Sequence, residues 1–375
     1  MRISALINTS AVVLVGVASV WSAQAYRADL PQAEPDRLYV VQSDITALVG
    51  RLALVDPDRG IVERVIDVGN KPDIGIIPGR GWLYLSSDVL ASGGLVGRFA
   101  ALDLHTWQPL WSHDEESTGG MPTAYSSRMA LSPDGALLYR YRRTITESGV
   151  QSSWLETTHT IQNVRLPDRV PLSLCGGLAA LHPVIGPASL LVVCGRSQDV
   201  RAVTVSPSGA LWGEEAIVAT LEARPQWEVP AQAFVHDGGR LFTVLQDDGT
   251  AITLGTISLR LVARRQLEAL GDGSSASSSG RPALVVETTG RVYLHAFGPE
   301  KSPRLVVMAS HDLAPLEVFE TNRSFVSLAA SPDGSRLYGV DDSRSGVIVL
   351  DATTGEELRT IDIEGGQVVY LVVAQ

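Results

Sequence analysis

The chain has 375 residues, 45% of them apolar in type and 19% charged, with a formal net charge of −11. That composition supplies a large core and excludes a disordered chain. The acidic excess, with no basic run interleaved with aromatics, argues against nucleic-acid binding.

Residues 1–25 have the form of an export signal. Arg2 is their only charge, Ala11 to Val20 is a ten-residue apolar run, and Ala23-Gln24-Ala25 is a small-x-small cleavage sequence. A retained anchor would need ~20 apolar residues. The expected mature chain is therefore residues 26–375, periplasmic or secreted. Loss of Arg2 takes its net charge to −12, and no later stretch is apolar enough to span a bilayer.

Tyr26 to Asp36 is a polar lead-in, followed by three strand-like runs, Arg37–Val41, Gly50–Val55 and Ile61–Val68. These are one strand short of a four-stranded unit. The C-terminal run Gln367–Val373 has no other partner and is expected to complete it, which would close a ring and hide two open edges.

The second unit reads Asp73–Ile77, a turn at Pro78–Gly81, Trp82–Leu85, an inserted Ser/Gly-rich loop Ser86–Gly97, then Arg98–Leu104 and Trp107–Ser112. In the third, Ser127–Leu131 and Leu137–Tyr141 flank Ser132-Pro133-Asp134-Gly135. The fourth holds Cys175 and Cys194, then Val200–Val205 and Glu215–Leu221. The fifth runs Gln232–His236, Asp237-Gly238-Gly239, Arg240–Leu245, Ala251–Ile257 and Leu261–Leu267. Gly271–Gly280 is a flexible surface connection by composition, and the sixth unit follows from Pro282 to Glu320.

The last unit, Phe325 to Ile363, is the clearest. Its four strand-like runs are separated by Ser331-Pro332-Asp333-Gly334, Asp342–Gly346 and Thr353-Thr354-Gly355, the pattern of a four-stranded antiparallel meander. Its Leu337-Tyr338 pair has equivalents at Leu38, Leu83, Leu138, Leu191, Leu241 and Val292. Seven repeats ~45 to 55 residues apart match propeller blades. The fold is thus expected to be all-β: a seven-bladed β-propeller of four-stranded antiparallel blades, closed by pairing the C-terminal strand with the N-terminal blade.

Cys175 and Cys194 suit one disulfide in an exported chain. Gly176–Leu181 and Ser189–Val193 read as a hairpin centred near residue 185, which would set the two cysteines almost opposite each other; two buried free thiols are the alternative.

The chain has no GxSxG, phosphate-binding glycine loop, HExxH or CxxC. No residue is assigned a catalytic, cofactor-binding or metal-binding role. His236 and His295 fall on or beside inner strands, where an imidazole binds metal or acts as a base; a hydrogen-bonded structural role is the simpler reading. Asp247-Asp248 and Asp341-Asp342 end second strands, and carboxylates gathered at a channel mouth hold Ca²⁺, but Asp also initiates turns. Trp107 and Trp111 flank one blade's last turn, at a place Arg359 occupies in the final unit, and are expected to pack between blades.

The repeated Ser-Pro-Asp-Gly-x-x-Leu-Tyr and Val-Leu-Asp-x-x-Thr-Gly phrases resemble exported YVTN-type propellers and the heavy subunit of quinoprotein amine dehydrogenases. Three further features are similar to that heavy subunit. They are the Leu85–Gly97 insertion leading into Ala101-Leu102-Asp103, the pair Cys175 and Cys194 before Val200–Val205, and the ending Leu350-Asp351-Ala352-Thr353-Thr354-Gly355-Glu356-Glu357-Leu358-Arg359. The resemblance implies a periplasmic scaffold without a cofactor of its own. Tryptophan tryptophylquinone and the catalytic Asp would reside on a small partner chain, with a redox protein as electron acceptor. The family's insertion offers an aromatic side chain toward the active site, whereas Ser86–Gly97 contains none. Two other readings stand beside this one: a free-standing protein- or ligand-binding propeller, and a metal-dependent lactonase-like hydrolase.

Overall fold

The computed structural model describes residues 37–44, 49–77, 81–91, 94–115, 129–132, 135–145, 151–160, 162, 164–172, 178–183, 190–194, 199–205, 211–220, 232–246, 249–268, 283–297, 302–341, 343 and 345–373. The expected export signal, Cys175, Asp247, Asp248, Asp342 and the Gly271–Gly280 connection lie outside them.

Seven four-stranded antiparallel sheets account for the described strands. Blade 1 joins β1 (Leu38–Asp44), β2 (Val49–Asp56) and β3 (Ile61–Asp67) to β28 (Gln367–Val373), in the order β28-β1-β2-β3. Blade 2 is β4 (Asn70–Ile77), β5 (Trp82–Ala91), β6 (Gly94–Asp103) and β7 (Pro109–Glu115). Blade 3 is β8 (Met129–Leu131), β9 (Leu137–Ile145), β10 (Gln151–His159) and β11 (Val164–Pro171). Blade 4 is β12 (Leu178–Pro183), β13 (Leu190–Cys194), β14 (Asp199–Val205) and β15 (Leu211–Thr220). Blade 5 is β16 (Gln232–His236), β17 (Leu241–Leu245), β18 (Thr250–Gly255) and β19 (Leu261–Gln266). Blade 6 is β20 (Ala283–Val286), β21 (Arg291–Phe297), β22 (Pro303–Ala309) and β23 (Pro315–Glu320). Blade 7 is β24 (Phe325–Ala330), β25 (Arg336–Asp341), β26 (Gly346–Asp351) and β27 (Glu357–Asp362). No described residue is α-helical.

The first strands contact one another in series, β4 with β8, then β12, β16, β20, β24 and β28. They therefore surround the axis, and the fourth strands form the rim. Rim strands are correspondingly exposed: all but one residue of β27 and of β19 is open to water. Ring closure is as expected, with Leu38 to Val41 of β1 paired to Val373 to Tyr370 of β28.

The core lies between blades rather than in one centre. Each of seven apolar clusters joins two neighbouring blades, from Tyr39, Leu83 and Trp107 between blades 1 and 2 to Val40, Tyr338 and Leu371 across the seam of blades 7 and 1. The Leu-Tyr repeat follows from this. Alternation along a strand sends successive side chains to opposite faces, so Leu83 packs toward blade 1 and Tyr84 toward blade 3. Both rings of Tyr84 and Tyr293 then donate from their hydroxyls to a carbonyl of the next blade, Thr160 at 3.0 Å and Ala352 at 2.9 Å.

The turn before the fourth strand also repeats. A backbone N–H bonds four residues back in five blades: Gly60 to Asp56, Trp107 to Asp103, Leu259 to Gly255, Leu313 to Ala309 and Gly355 to Asp351, at 2.7–2.9 Å. The donor has φ of 53–73° in all five. The carboxylates of Asp56, Asp103 and Asp351 each accept from two N–H groups inside the turn, so the Asp of the repeat is a turn anchor.

Three sequence expectations are corrected. Ser86–Gly97 is not a loop: β5 and β6 run on together, with Asp88 opposite Gly97, Val89 opposite Val96 and Ala91 opposite Gly94. In blade 5 the equivalent of Leu337 is Phe242, not Leu241; Thr256 N–H bonds Arg240 O as Ala352 N–H bonds Ser335 O, and Phe242 is fully buried. In blade 4 Leu190, packed toward the preceding blade, likewise takes the place read for Leu191, which packs toward the next. A one-residue slip exchanges the two faces of a strand. In blade 4, Cys194 is fully buried, but the residue opposite it is Leu178 rather than position 175. The third blade's outer strands, β10 and β11, had no counterpart in the reading of the sequence.

Candidate functional site

Within every blade the strands alternate in direction, so the turns between second and third strands all lie on one face of the ring. Two hairpins stand out on that face. Strands β5 and β6 have ten residues each and β9 and β10 have nine each, whereas β17 and β18 have five and six. At ~3.3 Å per residue the difference is roughly 10 to 16 Å of projection. The two long hairpins belong to adjacent blades, and the cleft between them is the candidate site.

Its lower wall is aromatic. Phe99 stacks on Tyr84 with centroids 5.9 Å apart, and Trp111 meets the edge of Phe99 at 5.1 Å and His113 at 5.1 Å. The facing wall, on blade 3, is basic. Arg140 is 2% exposed and lies 4.0 Å above the centre of Phe99, bridging the blades. Its guanidinium bonds the Glu156 carboxylate, directly opposite on β10. Arg165 bonds the other carboxylate oxygen, and Arg142 approaches to 4.0 Å.

The register explains the crowding. Thr158 pairs with Arg165 and Glu156 with Arg169, so two residues of β10 span four of β11. This irregularity brings two β11 arginines alongside one carboxylate. Arg169 lies 5.3 Å from the Trp154 ring, whose buried indole N–H has no hydrogen-bond partner among the described residues. Burial pushes the Glu156 carboxyl up, but Arg140, Arg142 and Arg165 together outweigh it and hold it below its ordinary value. Burial lowers Arg165, and repulsion from Arg169 and Arg140 lowers it further against the pull of Glu156. The cleft thus combines protruding hairpins, an aromatic floor and four arginines around one glutamate.

The residues singled out by sequence lie elsewhere. His236 is 1% exposed; its Nδ1 bonds Ser310 O in blade 6 and its Nε2 bonds Thr243 Oγ1 at 2.8 Å, which in turn bonds Thr253 Oγ1 at 2.8 Å. That is the hydrogen-bonded structural role. His295, on the second strand of its blade, is buried edge-on to Phe297 and Phe325. Asp341 accepts from Ser343 N–H at 3.0 Å and from Arg323 Nη1 at 2.7 Å, the turn-initiating role. No group of three His, Cys, Asp or Glu side chains able to hold a metal occurs among the described residues. Trp107 packs between blades, stacked 6.2 Å from Tyr39 beneath Arg64. Arg359, in the place of the outer-strand tryptophan, also bridges blades, donating to Asp58 O at 2.8 Å. Cys194 is in place, but Cys175 is outside the described residues, and their pairing is carried forward as a proposal. The Arg140–Glu156 cluster gave no sequence motif; its one signal was the alternation Tyr139-Arg140-Tyr141-Arg142 on an apolar strand.

No family model and no curated protein matches the chain. Solved structures do. A functionally unknown protein from Desulfotomaculum acetoxidans superposes with a TM-score of 0.65 at 12% identity, over 89% of this chain and 98% of its own. The periplasmic gluconolactonase of Pseudomonas aeruginosa gives 0.62 at 16% identity, over 90% and 99%. Hydrazine synthase of Kuenenia stuttgartiensis gives 0.55 at 13% identity, over 86% and 97%. Likeness at such low identity, across proteins named for unrelated activities, shows a shared fold: this chain is a seven-bladed β-propeller.

Proposed function

We propose that this chain is an exported, non-catalytic propeller scaffold that docks a partner protein on the face carrying the β5–β6 and β9–β10 hairpins. The observation that supports it most is the pair of long hairpins on adjacent blades, flanking a cleft rich in arginine and aromatic side chains. The His236 ring, one of the two histidines that the sequence sets on or beside inner strands, is held by hydrogen bonds at both nitrogens. The resemblance to quinoprotein amine dehydrogenases gives the finer form of the reading. The partner is then a small chain bearing tryptophan tryptophylquinone, the site is the periplasm, and electrons leave through a redox protein.

The test is to purify the protein from its own organism's periplasm and record the mass and visible spectrum of what accompanies it. A small companion whose quinone absorption bleaches with a primary amine supports the finer reading. A colourless companion supports the scaffold alone, and a lone chain favours a free-standing binding propeller. A lactonase-like hydrolase is the second reading, favoured by the likeness to the Pseudomonas gluconolactonase; hydrolysis of gluconolactone by the same preparation would replace the scaffold reading.

A further inference from the structure

The cleft between blades 2 and 3 has a chemistry that the docking proposal does not by itself require. Arginine and tryptophan side chains only donate hydrogen bonds, and a carboxylate only accepts. Here Arg140, Arg142, Arg165, Arg169 and Trp154 gather around Glu156. The basic charge of the chain is almost wholly arginine, since only Lys71 and Lys301 are lysine. Arginine binds carboxylates through its planar fork, in a way lysine does not.

Placement separates the roles of these residues. Arg140 and Glu156 are buried and hold the two walls together. Arg165 is 44% exposed on its side chain, and Arg169 is exposed as well, both on the rim strand β11. The free edge of β11 contains Pro167, which has no backbone N–H, so an added strand would find an interrupted ladder there. Recognition at this rim therefore runs through side chains. The net charge of −11 does not prevent it, because charges more than ~10 Å away are screened at ordinary ionic strength. It does disfavour a long polyanion such as duplex nucleic acid.

We propose that this cleft is a receptor for an acidic segment of a partner protein, whose carboxylates are taken by Arg165 and Arg169 beside the Trp154 ring. This assignment rests on the scaffold reading and names the chemistry of its partner. A hexaglutamate peptide is the probe, titrated into the purified full chain while tryptophan emission and binding heat are followed, with hexaglutamine as control. Saturable binding of hexaglutamate alone is expected, weakened at least tenfold by Arg169→Glu and by Arg165→Gln, and weakened by added salt. Circular dichroism confirms that each variant is folded. Arg264→Glu, an exposed change on rim strand β19, is expected to bind as the parent does. Absence of saturable binding, parental affinity in both cleft variants, or an equal loss in Arg264→Glu would each overturn the assignment. A co-purifying partner together with no peptide binding would sink the acidic-segment assignment while leaving the scaffold standing.

Discussion

Arg359 and Asp58 are 301 residues apart in the chain, and the guanidinium of one donates to the backbone oxygen of the other at 2.8 Å. Arg336 reaches the Asp58 side chain from the same blade, and Gln42 Nε2 donates to Ile363, Glu364 and Gly366 carbonyls at 3.2–3.4 Å. The seam of the ring is therefore bonded on both faces of blade 1, over an apolar interior of Val40, Val349 and Leu371. Replacing Arg359 by Ala is expected to cost about 1 kcal/mol, the worth of a partly exposed charge-assisted hydrogen bond. Deleting residues 367–373 should instead abolish the folded monomer, as read by size-exclusion chromatography and limited proteolysis.

Glu156→Gln should be strongly destabilising. It leaves Arg140 buried against Phe99 with its neutralising charge removed, and breaking one side of a buried pair costs ~3–5 kcal/mol. Urea denaturation of the variant should show the loss. The exposed Asp114→Ala change, at the Arg98 pair, should move the midpoint by a quarter of that or less.

The recurrent turn before the fourth strand ranks three substitutions. A left-handed backbone costs a non-glycine residue ~1–2 kcal/mol, and Trp107, Leu259 and Leu313 bear it. Leu259 is only partly buried, so Leu259→Gly should be neutral within about 0.5 kcal/mol. Trp107→Gly loses a buried ring worth ~3–5 kcal/mol and should be net destabilising by about 2 kcal/mol. Gly355→Ala should cost about 2 kcal/mol, since φ is 73° and a Cβ would fall 2.6–2.8 Å from Phe319 atoms. Thermal melts should leave Leu259→Gly close to parent and lower the other two.

Burial lowers the pKa of His236 from its ordinary 6.5, against the smaller opposing pull of Ser310 O. The unfolded chain therefore takes up that proton first as the solution is acidified. Its contribution to stability is complete above about pH 6.5 and is lost as the pH falls below that value. Relative to parent, His236→Gln should show a flatter dependence of unfolding free energy on pH between 7 and 5.

The Cys175–Cys194 pairing makes a separate prediction. Mass spectrometry of unreduced, alkylated protein should show no thiol modified, and reduction should lower the melting temperature.

Blade number, ring closure and the Asp-anchored turns were legible in the sequence because each depends on local chemistry: alternating apolar runs, Pro-Asp-Gly turns, and an orphan terminal strand. Ser86–Gly97 misled because its Ser and Gly outweighed the weaker alternation of Val89-Leu90 and Leu95-Val96, which pair across the hairpin. Strands β10 and β11 escaped notice because their apolar positions are sparse: Leu155 and Val170 are buried toward blade 4, but the paired positions on the other side are Glu156 and Arg169 in place of Leu and Val. The cleft was invisible for a related reason. Arg140 and Glu156 meet only through strand register, and Phe99 joins them from another blade.

The position of β28 also sets a timetable. Blade 1 contributes some of the first described strands to be made, yet its inner strand is made after all the others. At ~5–20 residues per second, β1 waits on the order of tens of seconds with an open edge. Through that interval any unpaired strand, its own or another chain's, is a competitor for the place of β28. The closing contact spans almost the full described chain, so its search is also the slowest by topology. Yield of the folded protein should therefore be governed less by the six blades that are complete in themselves than by how well the first one is kept vacant until its last strand arrives.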